Sequence, residues 1–374
     1  MNFLRNCRHT IETMMMNSNQ QHQPSDSHTT EEMEYSTPHY TRRAYHAGSW
    51  YTSDPNALDN LLTKFLSDAE NNNDDGNGDD AAADSTVVFG IGGIANACIS
   101  PHAGFRYSGP TAAYSYLALK EALLTNSALR TIVVLHPSHH VYLDGCAVSG
   151  ASIIETPLGN LKVDHALRNQ LLTSTAPKFE MMMDQGVDEE EHSGEMQYPF
   201  IAKIINDLNA TRSENNKRRL LDIKILPIMV GSIKTDREEA FGRLLSPYLC
   251  DRGVFTVVSS DFCHWGQRFN YTPQPSSSSH PVNEIHEYIA ALDKRGMDLI
   301  ELQRPGAFAD YLRECSNTIC GRHPIAVWMH SIQASMLTHD VRFVSYDQSE
   351  KARSVRDNSV SYASAVARVA MFDG

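Results

Sequence analysis

The segment IANACISPHAG, residues 94–104, places a histidine directly behind an apolar run. Ile94 to Ser100 has the length and composition of a buried β-strand, and His102 follows it in a Pro-His-Ala-Gly turn. The same arrangement recurs in TIVVLHPSHH, residues 131–140, and in VFTVVSSDFCHWG, residues 254–266. In an open α/β sheet the carboxyl ends of parallel strands share one edge, and ligands bind in the crevice outside it. The three segments therefore predict a parallel sheet that brings several imidazoles to one edge.

Helical and strand patterns alternate along the rest of the chain. Apolar periodicity predicts helices at 54–69, with Ser53 as N-cap, and at 109–124, 164–174, 193–208, 236–249, 282–302, 305–314 and 322–337. It predicts strands at 94–100, 131–135, 145–150, 223–230, 254–260, 340–346 and 359–370. This alternation indicates an α/β fold, a single-domain αβα sandwich with a largely parallel, mixed central sheet.

Two segments lack any such periodicity. Residues 1–43 are rich in Gln, Ser, Thr, Met and His and are predicted to be a disordered tail, so that the folded domain spans 44–374. Within it, NNNDDGNGDDAAAD, residues 71–84, is predicted to be a flexible acidic insert, and residues 273–279 a further flexible stretch.

Composition excludes several classes of protein. A net charge of -13 argues against a nucleic-acid surface, which needs clustered Lys and Arg. No run approaches the roughly 20 apolar residues of a membrane span. The 7 cysteines form no C-x-x-C pair, which is typical of reduced thiols in a cytoplasmic or nuclear protein.

The histidines can be ligands or structural residues. A lone histidine at a strand end more often makes a hydrogen bond than binds a metal, but three such segments at one edge favour a metal site. His102 is a candidate ligand. His139 is favoured over its neighbour His140, since adjacent side chains point in different directions.

The segment after the third strand offers two groups three residues apart. Asp261 can orient a histidine or bind metal, and His264 can be a ligand or a general base. A helix-capping Asp beside a stacked His is the structural alternative. Cys263 is interpreted as a packed, small apolar residue.

Other candidates lie further along the chain or near its start. Cys320, beside Gly321, can reach the same edge, and Arg322 is a candidate anion contact; an isolated thiol there would be buried and inert. His192 and Glu195 can reach the edge, but a role at a helix start is favoured. In HAGSWY, residues 46–51, Trp50 is either exposed near the site or packed in the core.

Six blocks together resemble the Memo family, which mediates cell motility driven by receptor tyrosine kinases. They are HAGSWY (46–51), PHAGFRYSG (101–109), PSHH (137–140), EHSGEMQYPF (191–200), VVSSDFCHWGQRF (257–269) and NTICGRHPI (317–325). The resemblance runs from about residue 42 to the C-terminus and leaves out only the tail and the acidic insert.

The resemblance implies a fold similar to that of the class III extradiol non-haem iron dioxygenases. By it, His102, His139 and Cys320 correspond to metal ligands, and Asp261 and His264 are the catalytic residues of the same pocket. Ring-cleaving relatives use two His and one carboxylate, whereas Cys320 supplies a softer, oxidisable thiolate here. Ring cleavage is therefore not expected, and a redox site with one iron(II) or copper ion per chain is expected instead; zinc also suits a thiolate.

The resemblance leaves two classes of function open. One is a metal-dependent oxidoreductase acting in oxidant-linked signalling and cell motility. The other is an adaptor that binds phosphotyrosine peptides of receptors and relays to cytoskeletal regulators, with Trp50, Arg322 and His46 as binding residues.

Overall fold

The computed structural model describes residues 40–74, 92–182, 184–214, 220–274 and 284–369. Its strands are β1 Tyr40–Arg42, β2 Ile94–Ser100, β3 Thr131–Pro137, β4 Cys146–Ser149, β5 Ala151–Ile154, β6 Leu161–Val163, β7 Glu180–Met182, β8 Lys224–Val230, β9 Val254–Ser259, β10 His264–Trp265, β11 His339–Gln348 and β12 Ser359–Val369. Its α-helices are α1 Pro55–Asp74, α2 Phe105–Thr125, α3 His165–Leu172, α4 Gln185–Glu190, α5 His192–Glu195, α6 Tyr198–Glu214, α7 Thr235–Leu249, α8 Ile285–Glu301, α9 Pro305–Cys315 and α10 Arg322–Ala334.

Five parallel strands form the centre of one large sheet, in the order β6, β8, β3, β9, β2. Antiparallel strands extend it on both sides: β12 pairs with β2 and carries β10 and β11, while β4 and β5 pair with β8 and β6. The central strands are buried on both faces and read as continuous apolar runs, as parallel strands do. The predicted α/β fold with a largely parallel, mixed sheet is confirmed.

Helices cover the sheet in separate groups. Helix α2 packs on β2 and β12 and also contacts α1 and α6, whereas α7 and α10 pack on each other and on β9. One continuous apolar core runs through these layers, with fully buried aromatic side chains such as Phe200, Phe241 and Phe255. This rigid frame fixes the carboxyl ends of β2, β3 and β9 next to one another.

The predicted limits of the tail and insert were partly wrong. Tyr40–Arg42 is a strand that pairs with β5, and the Arg42 side chain is buried against Asp188 and Glu195, so these residues belong to the domain. Residues 71–74 close helix α1. The remaining calls on 1–39, 75–84 and 275–279 lie outside the described residues.

The start of α1 also differs from the prediction. The Asp54 carboxylate accepts a hydrogen bond from the Ala57 amide at 2.7 Å, so Asp54 rather than Ser53 caps this helix. In the described part of the chain, no helix combines the length and apolar composition needed to cross a bilayer. The six cysteines described there all carry free thiols.

Candidate functional site

Three adjacent strands and one loop bring the predicted residues together. Strands β3, β9 and β2 are neighbours, so the residues that follow them, His139, Asp261 and His102, meet at one edge. Cys320 arrives from the loop before α10. The potential ligand atoms of His102, His139 and Cys320 lie within 4.8 Å of one another, and Cys320 Sγ is 3.1 Å from His102 Nε2.

Gly321 allows the Cys320 loop to approach the sheet. A Cβ at this position would lie 2.3 Å from Ser260 Cβ and 2.5 Å from the Ser259 carbonyl oxygen. No side chain fits there, and the Gly321 amide instead donates to Ser260 Oγ at 3.1 Å. Glycine therefore seats the thiol directly against the end of β9.

His102 is the buried member of the set, with 2% of its surface exposed. Its Nδ1 lies 2.8 Å from Ser259 Oγ, and its backbone amide donates to Asp261 Oδ1 at 2.7 Å. Burial, together with the nearby His139 and His192, holds the pKa of His102 well below its usual range. The imidazole is therefore neutral, as a metal ligand must be.

His139 lies at the solvent side of the set and is paired with a carboxylate. Its Nδ1 is 2.8 Å from Glu191 Oε1, and its backbone amide donates to Glu191 Oε2 at 2.6 Å. Burial alone would lower the pKa of His139, but hydrogen bonds with Cys320 and Glu191 outweigh it and raise this pKa to about 10. Burial is likewise outweighed in Glu191, where His139 holds the carboxyl pKa well below its usual range.

Glu191 also forms a second potential metal group with His139 and His192. Its Oε1, however, accepts hydrogen bonds from both the amide and the hydroxyl of Ser193, at 3.0 and 2.7 Å. The rings of His139 and His192 are stacked at 4.6 Å, so their in-plane lone pairs do not converge on one ion. Glu191 therefore orients His139 rather than completing a second centre.

Asp261 and His264 lie beside the three potential ligands. Asp261 is buried, which raises its carboxyl pKa. Its Oδ1 accepts hydrogen bonds from the backbone amides of His102 and Ala103. His264 Nδ1 lies 2.9 Å from the Phe262 carbonyl oxygen and 3.2 Å from that of Thr318. Carbonyl oxygens only accept, so Nδ1 carries the proton and Nε2 carries the free lone pair of a base.

A cavity of about 690 Å³ is lined by His102, His139, Asp261 and His264, whereas Cys320 is not on its lining. Trp50, 36% exposed, stacks on His192 with the ring centroids 4.3 Å apart and forms one wall. Arg268 and Arg356 lie on the lining, as does the exposed Tyr107. Glu350 and Asp357 also lie on the lining, so the cavity joins a histidine-rich floor to a wall of aromatic residues and charged residues of both signs.

Not every predicted residue reaches this cavity. The Arg322 guanidinium donates to the Ile319 carbonyl oxygen at 3.4 Å, and Arg322 is not on the lining. His46 is buried behind Trp50, where Nε2 lies 3.1 Å from the Glu190 carbonyl oxygen. Cys263 is buried in the apolar core, as interpreted from the sequence.

Several site residues were not predicted from the sequence. A role at a helix start was favoured for His192 over a place at the edge; the residue does begin helix α5, and its ring also lies between Trp50 and His139. Glu191 and Arg268 were not singled out, although each lies inside one of the six blocks, and Arg356 lies outside all of them. Membership of these blocks, including the pairing of Glu191 with His192, was the available signal.

The donor set fits a transition metal. Two imidazole nitrogens and a sulfur suit iron, copper or zinc, whereas Mg²⁺ and Ca²⁺ require oxygen ligands. Both histidines have their Nδ1 in a hydrogen bond with a protein group, which is the usual outer support of a metal-binding histidine.

Comparison with known proteins agrees with the sequence resemblance. The family model for Memo-like proteins matches residues 42–366. Protein memo-1 homolog of Caenorhabditis elegans is 40% identical over 331 residues, covering 87% of this chain and 82% of that protein. Protein MEMO1 of Homo sapiens is 38% identical over 325 residues, covering 86% and 95%. A crystal structure of an uncharacterized protein from Escherichia coli K12 aligns with a TM-score of 0.45 and 14% identity over 72% of this chain and 99% of that one. The chain belongs to the Memo family.

Proposed function

We propose that this protein binds one iron or copper ion per chain through His102, His139 and Cys320 and uses it in redox chemistry. The observation that carries the proposal is the convergence of two imidazoles and a thiol within 4.8 Å at the carboxyl edge of a parallel sheet. Zinc fits the same donors but would not supply redox chemistry. A bound iron or copper ion would supply electron exchange with an oxidant or a substrate.

The other residues of the cavity have separate tasks in this proposal. His264 accepts a proton from a bound molecule at Nε2, the nitrogen that its two carbonyl contacts leave free. Asp261 holds the His102 backbone in place through Oδ1. Trp50 and His192 form a stacked wall that limits the access of water. Because Cys320 replaces the carboxylate of the ring-cleaving dioxygenases, extradiol cleavage is not part of the proposal.

Metal content is the direct test. The protein is purified without a polyhistidine tag, and its iron, copper and zinc are measured by element-resolved mass spectrometry before and after reloading. About one equivalent of iron or copper per chain is expected. Absence of all three metals above background after reloading contradicts the proposal.

A second candidate is the binding of phosphotyrosine peptides in the same cavity, and the two arginines on its lining favour it. Arg268 and Arg356 line the cavity together with Trp50 and Tyr107, which suits a phosphorylated aromatic side chain. This role extends to relaying receptor signals to cytoskeletal regulators in the cytoplasm or nucleus, as the family resemblance implies.

A pair of arginine variants tests the second candidate. Arg268→Ala should weaken a phosphotyrosine peptide much more than its unphosphorylated form, measured by calorimetry. Arg322→Ala is the matched control, since this guanidinium faces the Ile319 carbonyl rather than the cavity. Equal loss for both peptide forms, or no loss, counts against the phosphate contact.

A further inference from the structure

A chain of buried polar side chains leads from helix α2 to His102. Tyr116, Gln197 and Ser259 are each fully buried, and they come from α2, from the turn before α6 and from the end of β9. Tyr116 Oη donates to Gln197 Oε1 at 2.6 Å, Gln197 Nε2 donates to Ser259 Oγ at 2.9 Å, and Ser259 Oγ lies 2.8 Å from His102 Nδ1.

Two backbone carbonyls fix the direction of every bond in this chain. Gln197 Nε2 also donates to the Pro101 carbonyl oxygen at 3.1 Å, which identifies the amide nitrogen, because a carbonyl oxygen cannot donate. Ser259 Oγ has a single proton, and it donates this proton to the Ser193 carbonyl oxygen at 2.8 Å. The hydroxyl can therefore only accept from His102, so Nδ1 of His102 carries the ring proton.

We infer that Tyr116, Gln197 and Ser259 act as a positioning relay that holds His102 in the Nδ1–H tautomer, with the Nε2 lone pair aimed at Cys320 Sγ 3.1 Å away. The tautomer follows from the hydrogen bonds of the metal-free protein alone. The consequence for metal affinity rests on the proposed function. These residues are positioning residues, because they act on the ion only through His102.

The relay is more than core packing. Thr256 lies three residues before Ser259 on β9 and is equally buried, yet its hydroxyl makes no hydrogen bond within the described residues. A buried hydroxyl on this strand is therefore compatible with the fold without any partner. The three bonds at Ser259 are specific to the position next to His102.

The test begins with the metal-free protein. Long-range ¹H–¹⁵N NMR on histidine-labelled protein distinguishes Nδ1–H from Nε2–H rings, and a His102→Asn variant assigns the signal. The wild type should show His102 as Nδ1–H. Ser259→Ala should shift it toward Nε2–H, whereas Ser259→Thr, which keeps the hydroxyl, and Thr256→Val, which removes an unbonded one, should leave it unchanged.

Metal affinity supplies the second measurement. Ser259→Ala should weaken binding of cobalt(II) or zinc, measured by chelator competition, about 10- to 100-fold, the usual cost of losing an outer partner of a ligand. Thr256→Val should keep wild-type affinity. An Nε2–H ring in the wild type overturns the relay, and so does an unchanged tautomer in Ser259→Ala. If the tautomers behave as expected but no metal binds to the wild type, the relay stands and the proposed metal function fails.

Discussion

His102 and His139 face the same thiol, but the protein holds them in different ways. His102 is buried, and its Nδ1 meets a neutral hydroxyl that a tyrosine and a glutamine hold in place. His139, whose side chain is 28% exposed, meets the buried carboxylate of Glu191. Burial makes a charge on the His102 ring unfavourable, whereas His139, nearer to solvent, can carry a positive charge paired with a carboxylate.

The two kinds of hydrogen-bond partner suit different depths in the protein. A hydroxyl relay fixes orientation without adding charge, so it suits the interior. A carboxylate also makes the histidine a stronger donor, and it is tolerated because the Ser193 amide and hydroxyl satisfy it. Variants at Cys320, His264 and Glu191 therefore have different expected effects on the two histidines.

The largest effect is expected from the group that both histidines share. Cys320→Ser replaces the thiolate with a hydroxyl that does not ionise at neutral pH, so metal affinity should fall by more than the ~100-fold that an outer partner contributes. Chelator competition with zinc or copper(I) measures this loss. Cys263→Ala, in the packed core, should keep the affinity and lose only stability. The reverse pattern would show that the wrong cysteine was assigned.

The next effect concerns a residue that supports neither histidine. His264→Ala removes the free Nε2 from the cavity but no proposed ligand. The variant should retain its metal and lose about 10²- to 10⁴-fold in oxygen-dependent turnover, the usual contribution of a positioned base. Oxygen uptake and metal content are measured on the same sample. Wild-type oxygen consumption no faster than that of the free metal would contradict the redox proposal.

Glu191→Gln tests the carboxylate side alone. The variant introduces an amide nitrogen, itself a donor, that would face the donors of His139 and Ser193 around Glu191. His139 should therefore lose its orientation, and metal affinity should fall about 10- to 100-fold. Glu190→Gln is the matched control, because this neighbouring carboxylate is exposed and the variant removes the same charge. Equal affinities in the two variants would mean that Glu191 acts only through its charge, if at all.

The smallest effect is a pH dependence of opposite sign on the two sides of the metal-free protein. The pKa of His139 is raised to about 10 in the folded protein, so protonated His139 stabilises the fold. This contribution is complete below the pKa of His139 in the unfolded chain and is lost as the pH rises toward 10. The pKa of His102 is lowered in the folded protein, so the fold favours its neutral form. The resulting stability is complete above the pKa of His102 in the unfolded chain and falls as the pH drops below that pKa.

Thermal unfolding of two variants measures this effect. The stability difference between wild type and His139→Asn should shrink from pH 6.5 to 10, whereas that between wild type and His102→Asn should shrink on acidification below about pH 6.5. Each change should reach about 1.4 kcal/mol, the equivalent of one pKa unit. Parallel curves would show that the two rings share one environment.

The sequence predicts the strands that carry the site better than the residues that line the cavity. The strand at 94–100 and the two other strands that precede the histidines are strong apolar runs, so the sequence predicts that His102, His139 and Asp261 lie at one edge of a parallel sheet; that they lie side by side depends on the order of β3, β9 and β2. Strands of three or four residues, such as Leu161–Val163, carry too little pattern to be recognised. The direction of Arg322 depends on the rotation of α10, and the arrival of Arg268 depends on a short turn, neither of which periodicity encodes.

The close contact of Gly321 with the end of β9 also determines when Cys320 can join the two histidines during synthesis. The thiol is separated from His102 by more than two hundred residues, and it takes its place only when the loop before α10 docks on a sheet that already contains β9. A nascent chain that has emerged only as far as β9 carries both histidines without the sulfur. In the proposed metal site all three ligands are therefore present only after this loop has docked, so binding of a metal by the complete set would come late in folding.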